Sequence, residues 1–154
     1  RGRIRALAGS GIEAGHGIEA GWGIEAGWGI KAGWGIKARD GIEAGSGIEA
    51  GWGIEAGWGI EAGWGIKARD GIEARDGIEA GSGIKAGWGI KAGLSITCAA
   101  VLSVAYRVFA GVAISKKETT AAEQTVTCKR LDHGTVAFGT LVETDQVTDV
   151  ESPA

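Results

Sequence analysis

Outside a crowd of carboxylates, few groups in this chain can hold a metal or move a proton. They are Cys98, Cys128, His16 and His133, beside nineteen Asp and Glu and sixteen Lys and Arg. Structural zinc needs ligands in close local pairs, and Cys98, Cys128 and His133 offer none, so no metal site is expected. The carboxylates recur singly along a repeat, which reads as a solvated ladder and not as an acid and base set against each other. The thirty glycines alternate with Ile, Ala and Trp and never lead into the Lys-Ser/Thr ending of a phosphate-binding loop. We therefore expect a non-enzymatic protein with no cofactor.

Binding is the chemistry that remains. Trp22, Trp28, Trp34, Trp52, Trp58, Trp64 and Trp88 all occupy the same slot of a six-residue unit. Rows of exposed aromatics mark interfaces, where Trp is a frequent hot spot. The expected role is structural or adhesive, that of a spacer, fibre element or protein-interaction surface that associates with itself or with another protein through the exposed Trp edges or end to end. Stacked indoles holding a carbohydrate or small ligand are the alternative. A net charge of −3, with Lys interleaved among Glu, leaves no basic stripe, so nucleic acid is not an expected partner.

The elements that position these tryptophans follow from one spacing. Ile12, Ile18, Ile24, Ile30, Ile36, Ile42, Ile48, Ile54, Ile60, Ile66, Ile72, Ile78, Ile84, Ile90 and Ile96 recur at every sixth position. Each is followed by Glu or Lys (Thr after Ile96) and then by Ala, or by Cys98 in the last unit. In a strand the Ile and Ala face one way and the charged residue the other. Gly-x-Gly, or Arg-Asp-Gly at Arg39, Arg69 and Arg75, supplies the turn. A helix would require a 3.6-residue period and would suffer from the glycines. Regular isoleucines are foreign to a disordered linker. The fold predicted is an all-β solenoid in which stacked coils turn isolated Ile and Ala residues into continuous inner ladders.

Coil size is the harder question, because like charges stacked directly are unfavourable. Two hexads per coil, twelve residues, make eight of twelve vertical neighbours opposite in charge; three hexads make six of eleven opposite and leave Glu25, Glu43, Glu61 and Glu79 unrelieved. This favours the flat twelve-residue coil. It sets Trp22, Trp34 and Trp58 on one edge and Trp28, Trp52, Trp64 and Trp88 on the other. A longer 36-residue period, seen in Ser10, Ser46 and Ser82, points to duplication in register.

The boundaries expected are a lead-in over 1–11, a regular solenoid over 12–97, degenerate closing coils over 98–114, and a loop, capping hairpin and tail over 115–154. In the closing coils Leu102, Val108 and Ile114 keep the sixfold phase, Cys98, Val104 and Ala110 take the Ala place, and Tyr106 takes the Trp place. Thr125 to Leu131 and Thr135 to Glu143 read as two strands joined through Asp132-His133-Gly134. A disulfide between Cys98 and Cys128 would tie this cap to the body; the spacing leaves both states open. Residues 98–114 are apolar, but Arg107 interrupts them and they fall short of the roughly 20 residues a helix needs to cross a bilayer. No membrane span is expected. Arg1, Arg3 and Arg5 precede no signal-like apolar segment, and the chain reads as a fragment or processed product.

The isoleucine period resembles the left-handed β-helix hexapeptide-repeat proteins, some of which are acyltransferases. Their small inward residue lies two before the branched one, whereas here Ala lies two after it, and the activity is not carried over. With Arg107-Val108-Phe109-Ala110-Gly111 and Val136-Ala137-Phe138-Gly139, nearly the whole chain is similar to uncharacterised bacterial and phage-encoded proteins. In these a Gly-Ile-x-Ala-Gly array runs into a short C-terminal segment. That resemblance implies a repeat body with a cap.

Overall fold

In the computed structural model, which describes residues 2–7, 9–113 and 118–146, β1 (Ile4–Ala6) is followed by fifteen three-residue strands. These are β2 to β16, one every six residues from Ile12–Ala14 to Ile96–Cys98. β17 (Val101–Phe109), β18 (Thr125–Cys128), β19 (Arg130–Phe138) and β20 (Thr140–Glu143) follow. All pairings are parallel and stack the chain into a β-solenoid of about eight turns.

The coil is triangular. Ile42 pairs with Ile60 and Ile60 with Ile78, so one turn takes eighteen residues. The first face stacks β1, β4, β7, β10, β13, β16, β18 and β20. The second face carries β2, β5, β8, β11 and β14, the third carries β3, β6, β9, β12 and β15, and β17 bends across the corner between them. The expected twelve-residue coil is therefore incorrect. A flat coil must reverse direction at each turn, and tight reversals usually need left-handed residues. The only positive-φ glycines among the described residues are Gly9, Gly111, Gly134 and Gly139. The Gly-x-Gly corners of the repeat use ordinary φ and bend the chain only far enough to close a triangle. Vertical charge pairing had pointed the other way, but exposed ion pairs are worth only about 0–1 kcal/mol and do not decide backbone closure.

Glycine serves these corners by making room. A Cβ at Gly33, Gly51 or Gly57 would run into the carbonyl oxygen of the coil before it, at Gly15, Gly33 and Arg39 respectively. Where Arg-Asp replaces the first two corner residues, the bond from Arg39 N to Ala20 O stretches to 3.3 Å, against 3.0 Å from Gly45 N to Ala26 O at the same position of a glycine corner.

The interior holds three ladders. One runs from Ile4 through Ile24 to Ile96, Val126 and Leu141. The second runs from Ile12 to Ile84, Leu102 and Leu131, and the third from Ile18 to Ile90, Val108 and Val136. From Ile24 to Ile90 each isoleucine is 1% exposed. Each Ile side chain fully removed from water contributes about 1.5–3 kcal/mol, which is what offsets the ordering of so glycine-rich a backbone.

Two boundaries are corrected. Residues 4–6 already form a strand of the first coil, with two extra residues absorbed beside Gly9, so the lead-in is partly solenoid. The terminal segment is not a hairpin: β19 pairs parallel to β17, and β20 parallel to β18. Gly134, at φ +90°, lies within β19, where its Cβ would strike Val104, so it turns a corner of one more coil instead of reversing the chain. Leu102, Val104, Val108 and Ala110 are buried as the sixfold phase requires, while Ile114 lies outside the described residues. No described helix is long and apolar enough to cross a membrane.

Candidate interaction surface

Eighteen residues per turn create three corners, and the Trp slot of each hexad falls on one of them. The first corner carries Trp22, Asp40, Trp58, Asp76 and Leu94; the second carries Ser10, Trp28, Ser46, Trp64, Ser82 and Ala100. The third carries His16, Trp34, Trp52, Asp70, Trp88 and Tyr106. Backbone bonds such as Trp52 N to Trp34 O, 3.1 Å, hold each column in vertical register. The two edges expected from the flat coil are thus three, and the tryptophans regroup: Trp34 joins Trp52 and Trp88.

All seven indoles are open to solvent, from 48% for Trp34 to 70% for Trp64. On the third corner Trp34 and Trp52 stack, with ring centroids 5.3 Å apart and planes 4° from parallel. His16 meets Trp34 edge-on at 4.7 Å. On the other two corners a polar or small residue separates the rings.

The faces differ in charge. Glu25, Glu43, Glu61 and Glu79 stack on the first face, with Arg5 bound to Glu25 at 3.1 Å at the end of the row. The second face mixes Glu13, Lys31, Glu49, Lys67 and Lys85, and the third mixes Glu19, Lys37, Glu55, Glu73 and Lys91. Lys37 bonds Glu55 at 2.9 Å, Lys91 bonds Glu73 at 2.9 Å, and Lys67 lies 3.5 Å from Glu49. The Glu55 carboxylate holds the Lys37 pKa above its ordinary value.

Glycine columns make the floor of a groove on each face. The groove on the third face encloses about 780 Å³ and ends at Trp88, Tyr106, Arg107 and Phe109. The second-face groove, about 920 Å³, has no aromatic wall. Phe109 occupies the outward slot of Lys91, and Phe138 is beside it in register and 45% exposed. The sequence reading missed both, although the hexad phase after Val108 already assigns Phe109 to an outward position.

The remaining reactive residues do not converge. His16 and His133 lie toward opposite ends of the stack. The His133 ring nitrogen Nδ1 is 2.7 Å from Asp132 Oδ2, and Ser103 is in register with His133, yet no hydrogen bond joins Ser103 to it. Cys98 and Cys128 follow the paired Thr97 and Thr127, point inward at consecutive levels of one ladder and are free thiols. Burial raises both. Cys128 is pushed up to about 11, first by burial and then by Cys98 and Glu143. Among the described residues no three His, Cys, Asp or Glu side chains are grouped to hold a metal ion. No protein family, curated protein or solved structure was found to match the chain.

Proposed function

We propose that this chain is a non-enzymatic structural repeat protein, a rigid prism that associates with protein through its aromatic corners. One observation carries the reading. The corner slot accepts Ser at Ser10, Ser46 and Ser82 and Asp at Asp40, Asp70 and Asp76 with the same backbone ladder, so the fold has no need of Trp there. Seven large rings nevertheless stand in that slot at about half exposure or more. Exposed aromatic area on this scale is characteristic of contact surfaces. Replacing all seven Trp by Ser is expected to leave the far-ultraviolet circular dichroism of the solenoid intact and to abolish association in sedimentation velocity. Association that survives in the all-Ser variant would refute the corner reading and move the contact to the coil ends, where Ile4, Ile12, Leu131 and Leu141 are only partly buried.

The aromatic end of the third-face groove, at Trp88, Tyr106 and Phe109, supports a second reading, a platform for carbohydrate or small ligands. Its test is tryptophan fluorescence titrated with glycans and small aromatic compounds; a flat response removes it.

A further inference from the structure

We infer that Cys98 and Cys128 are the two halves of a redox latch, oxidised by a low-molecular-weight disulfide to an internal disulfide that locks the C-terminal coil onto the body. The inference is independent of the aromatic corners and starts from register. Ile96 pairs with Val126 and Thr97 with Thr127, so Cys98 and Cys128, the next residues of the same two strands, are neighbours on the inner face. They are the only two cysteines of the chain. Below them the same inward slot holds Ala6, Ala26, Ala44, Ala62 and Ala80. A thiol replaces the Ala methyl at two adjacent levels and nowhere else.

The separation suits a bond. Adjacent strands lie ~4.8 Å apart, inside the roughly 4.4–6.8 Å over which a disulfide bridges two Cα atoms. In the structure both residues are free thiols, and Cys98 Sγ donates to Ala100 O at 3.6 Å. A thiol is a weak donor, so turning the Cys98 side chain toward Cys128 forfeits little. The backbone after Cys128 also departs from the regular ladder. The amide after an inward Ala bonds the Ala carbonyl one level below, as Gly45 N does with Ala26 O at 3.0 Å; Lys129 N instead bonds Ala100 O, at 2.9 Å. The ladder bond that would hold Cys128 at standard spacing over Cys98 is thus replaced.

The place of the pair gives the bond its effect. Residues 110–124, between β17 and β18, form the longest connection between successive strands, and the others have five residues or fewer. The coil of β18, β19 and β20 is therefore the one least tied to its neighbour through the chain, and it depends on strand pairing to stay docked. A Cys98–Cys128 bond crosses that junction and joins β16 of the body to β18 of the cap.

Docked, the pair is inert. Cys98 and Cys128 are 2% and 0% exposed, and the thiolate is the form that attacks a disulfide. Reaction belongs to the moment when the cap coil is lifted away or has not yet docked. The Cys128 thiolate, its proton lost to solvent, attacks one sulfur of oxidised glutathione and expels one glutathione thiolate. The Cys98 thiolate then attacks the Cys128 sulfur and expels the second. The two cysteines lose two electrons and two protons, and the glutathione disulfide is reduced to two thiols.

To test this, the full chain, reduced and unfolded in urea, is refolded across a series of mixtures of reduced and oxidised glutathione. Alkylation and mass spectrometry then count the free thiols and locate any disulfide. A parallel series keeps the chain unfolded. Closing a loop of about 30 residues corresponds to roughly 500-fold before any strain. The refolded chain is expected to be half-oxidised at a ratio of squared reduced to oxidised glutathione about 10- to 500-fold higher than the unfolded chain. Oxidation should slow hydrogen exchange at the Lys129 amide about tenfold or more and leave Ile60, in mid-stack, unchanged. Cys98→Ala with Cys128→Ala, which returns the slot to the residue it holds elsewhere, should keep the fold and lose both responses.

Thiols that stay free in the refolded chain throughout the series overturn the inference. So does a midpoint no higher than that of the unfolded chain, or disulfides found only between chains or to glutathione. An internal disulfide that leaves exchange at Lys129 unchanged overturns the latch.

Discussion

Gly57→Ala against Gly15→Ala tests whether the glycine at a given corner is kept by its contact with the coil before it and not by backbone dihedrals. Both residues hold the first position of a Gly-x-Gly corner, and neither has a positive φ. A Cβ on Gly15, in the first coil, meets nothing within 4 Å; on Gly57 it would lie more than 1 Å inside the 3.0 Å limit from the Arg39 carbonyl oxygen. That oxygen belongs to backbone and cannot rotate away, so the corner must lift. Lifting lengthens Gly57 N to Ala38 O, 3.0 Å, and Trp58 N to Asp40 O, 3.2 Å. Two weakened hydrogen bonds at about 1 kcal/mol each, with overpacking of about 1–3 kcal/mol, outweigh the ~0.4–1 kcal/mol that Ala contributes by restricting the unfolded chain. The net loss expected is about 2–4 kcal/mol, a fall in thermal midpoint of roughly 5–15 °C for a chain of this length. Gly15→Ala should be neutral or slightly stabilising. Urea unfolding and thermal circular dichroism measure the difference, and hydrogen exchange at the Trp58 amide locates it, since repeat arrays can open in segments. Equal effects at the two sites, or a Gly57→Ala change below about 0.5 kcal/mol, would refute the contact explanation.

Three further outcomes are expected. Ile60→Ala, at a residue 1% exposed in the middle of a ladder, should lose about 2–5 kcal/mol in urea unfolding, and Ile12→Ala in the partly buried first coil clearly less. Glu61→Lys, between Glu43 and Glu79, should stabilise the solenoid by about 0.5–1 kcal/mol at low salt; the difference should shrink in ~0.5 M salt as the charges are screened. Cys128, raised to about 11 in the fold, favours the protonated thiol there. The stability linked to it is present below the unfolded thiol pKa and is lost as pH rises from about 9 to 11. The thermal midpoint of Cys128→Ala should therefore fall less over that pH range than that of the wild-type chain.

How much was legible depends on which interaction decided each feature. The inward Ile and Ala of every hexad were plain in the sequence because burial of apolar groups at strand spacing is a strong local signal, and Cys98, Val104 and Ala110 obeyed the same phase in the structure. The parallel course of Arg130 to Phe138 was not. Asp132-His133-Gly134 has the composition of a reversing turn, and only the ladder contacts of Leu131 and Val136 with β17 show that the chain goes forward.

Sequence alone thus determined a stacked β-solenoid, its inner residues and the shared outward slot of seven tryptophans, because a strict sixfold period leaves no other way to bury the isoleucines. Tertiary structure decided that three hexads make a turn. That one fact divides the tryptophans among three corners, gathers Trp34, Trp52, Trp88 and Tyr106 on one of them and stacks four glutamates on the opposite face. The physical reason is that closure is set by how far each glycine corner bends and how nearly successive coils approach. Both are properties of the assembled stack, and charge neighbours along the sequence are too weakly coupled to report them.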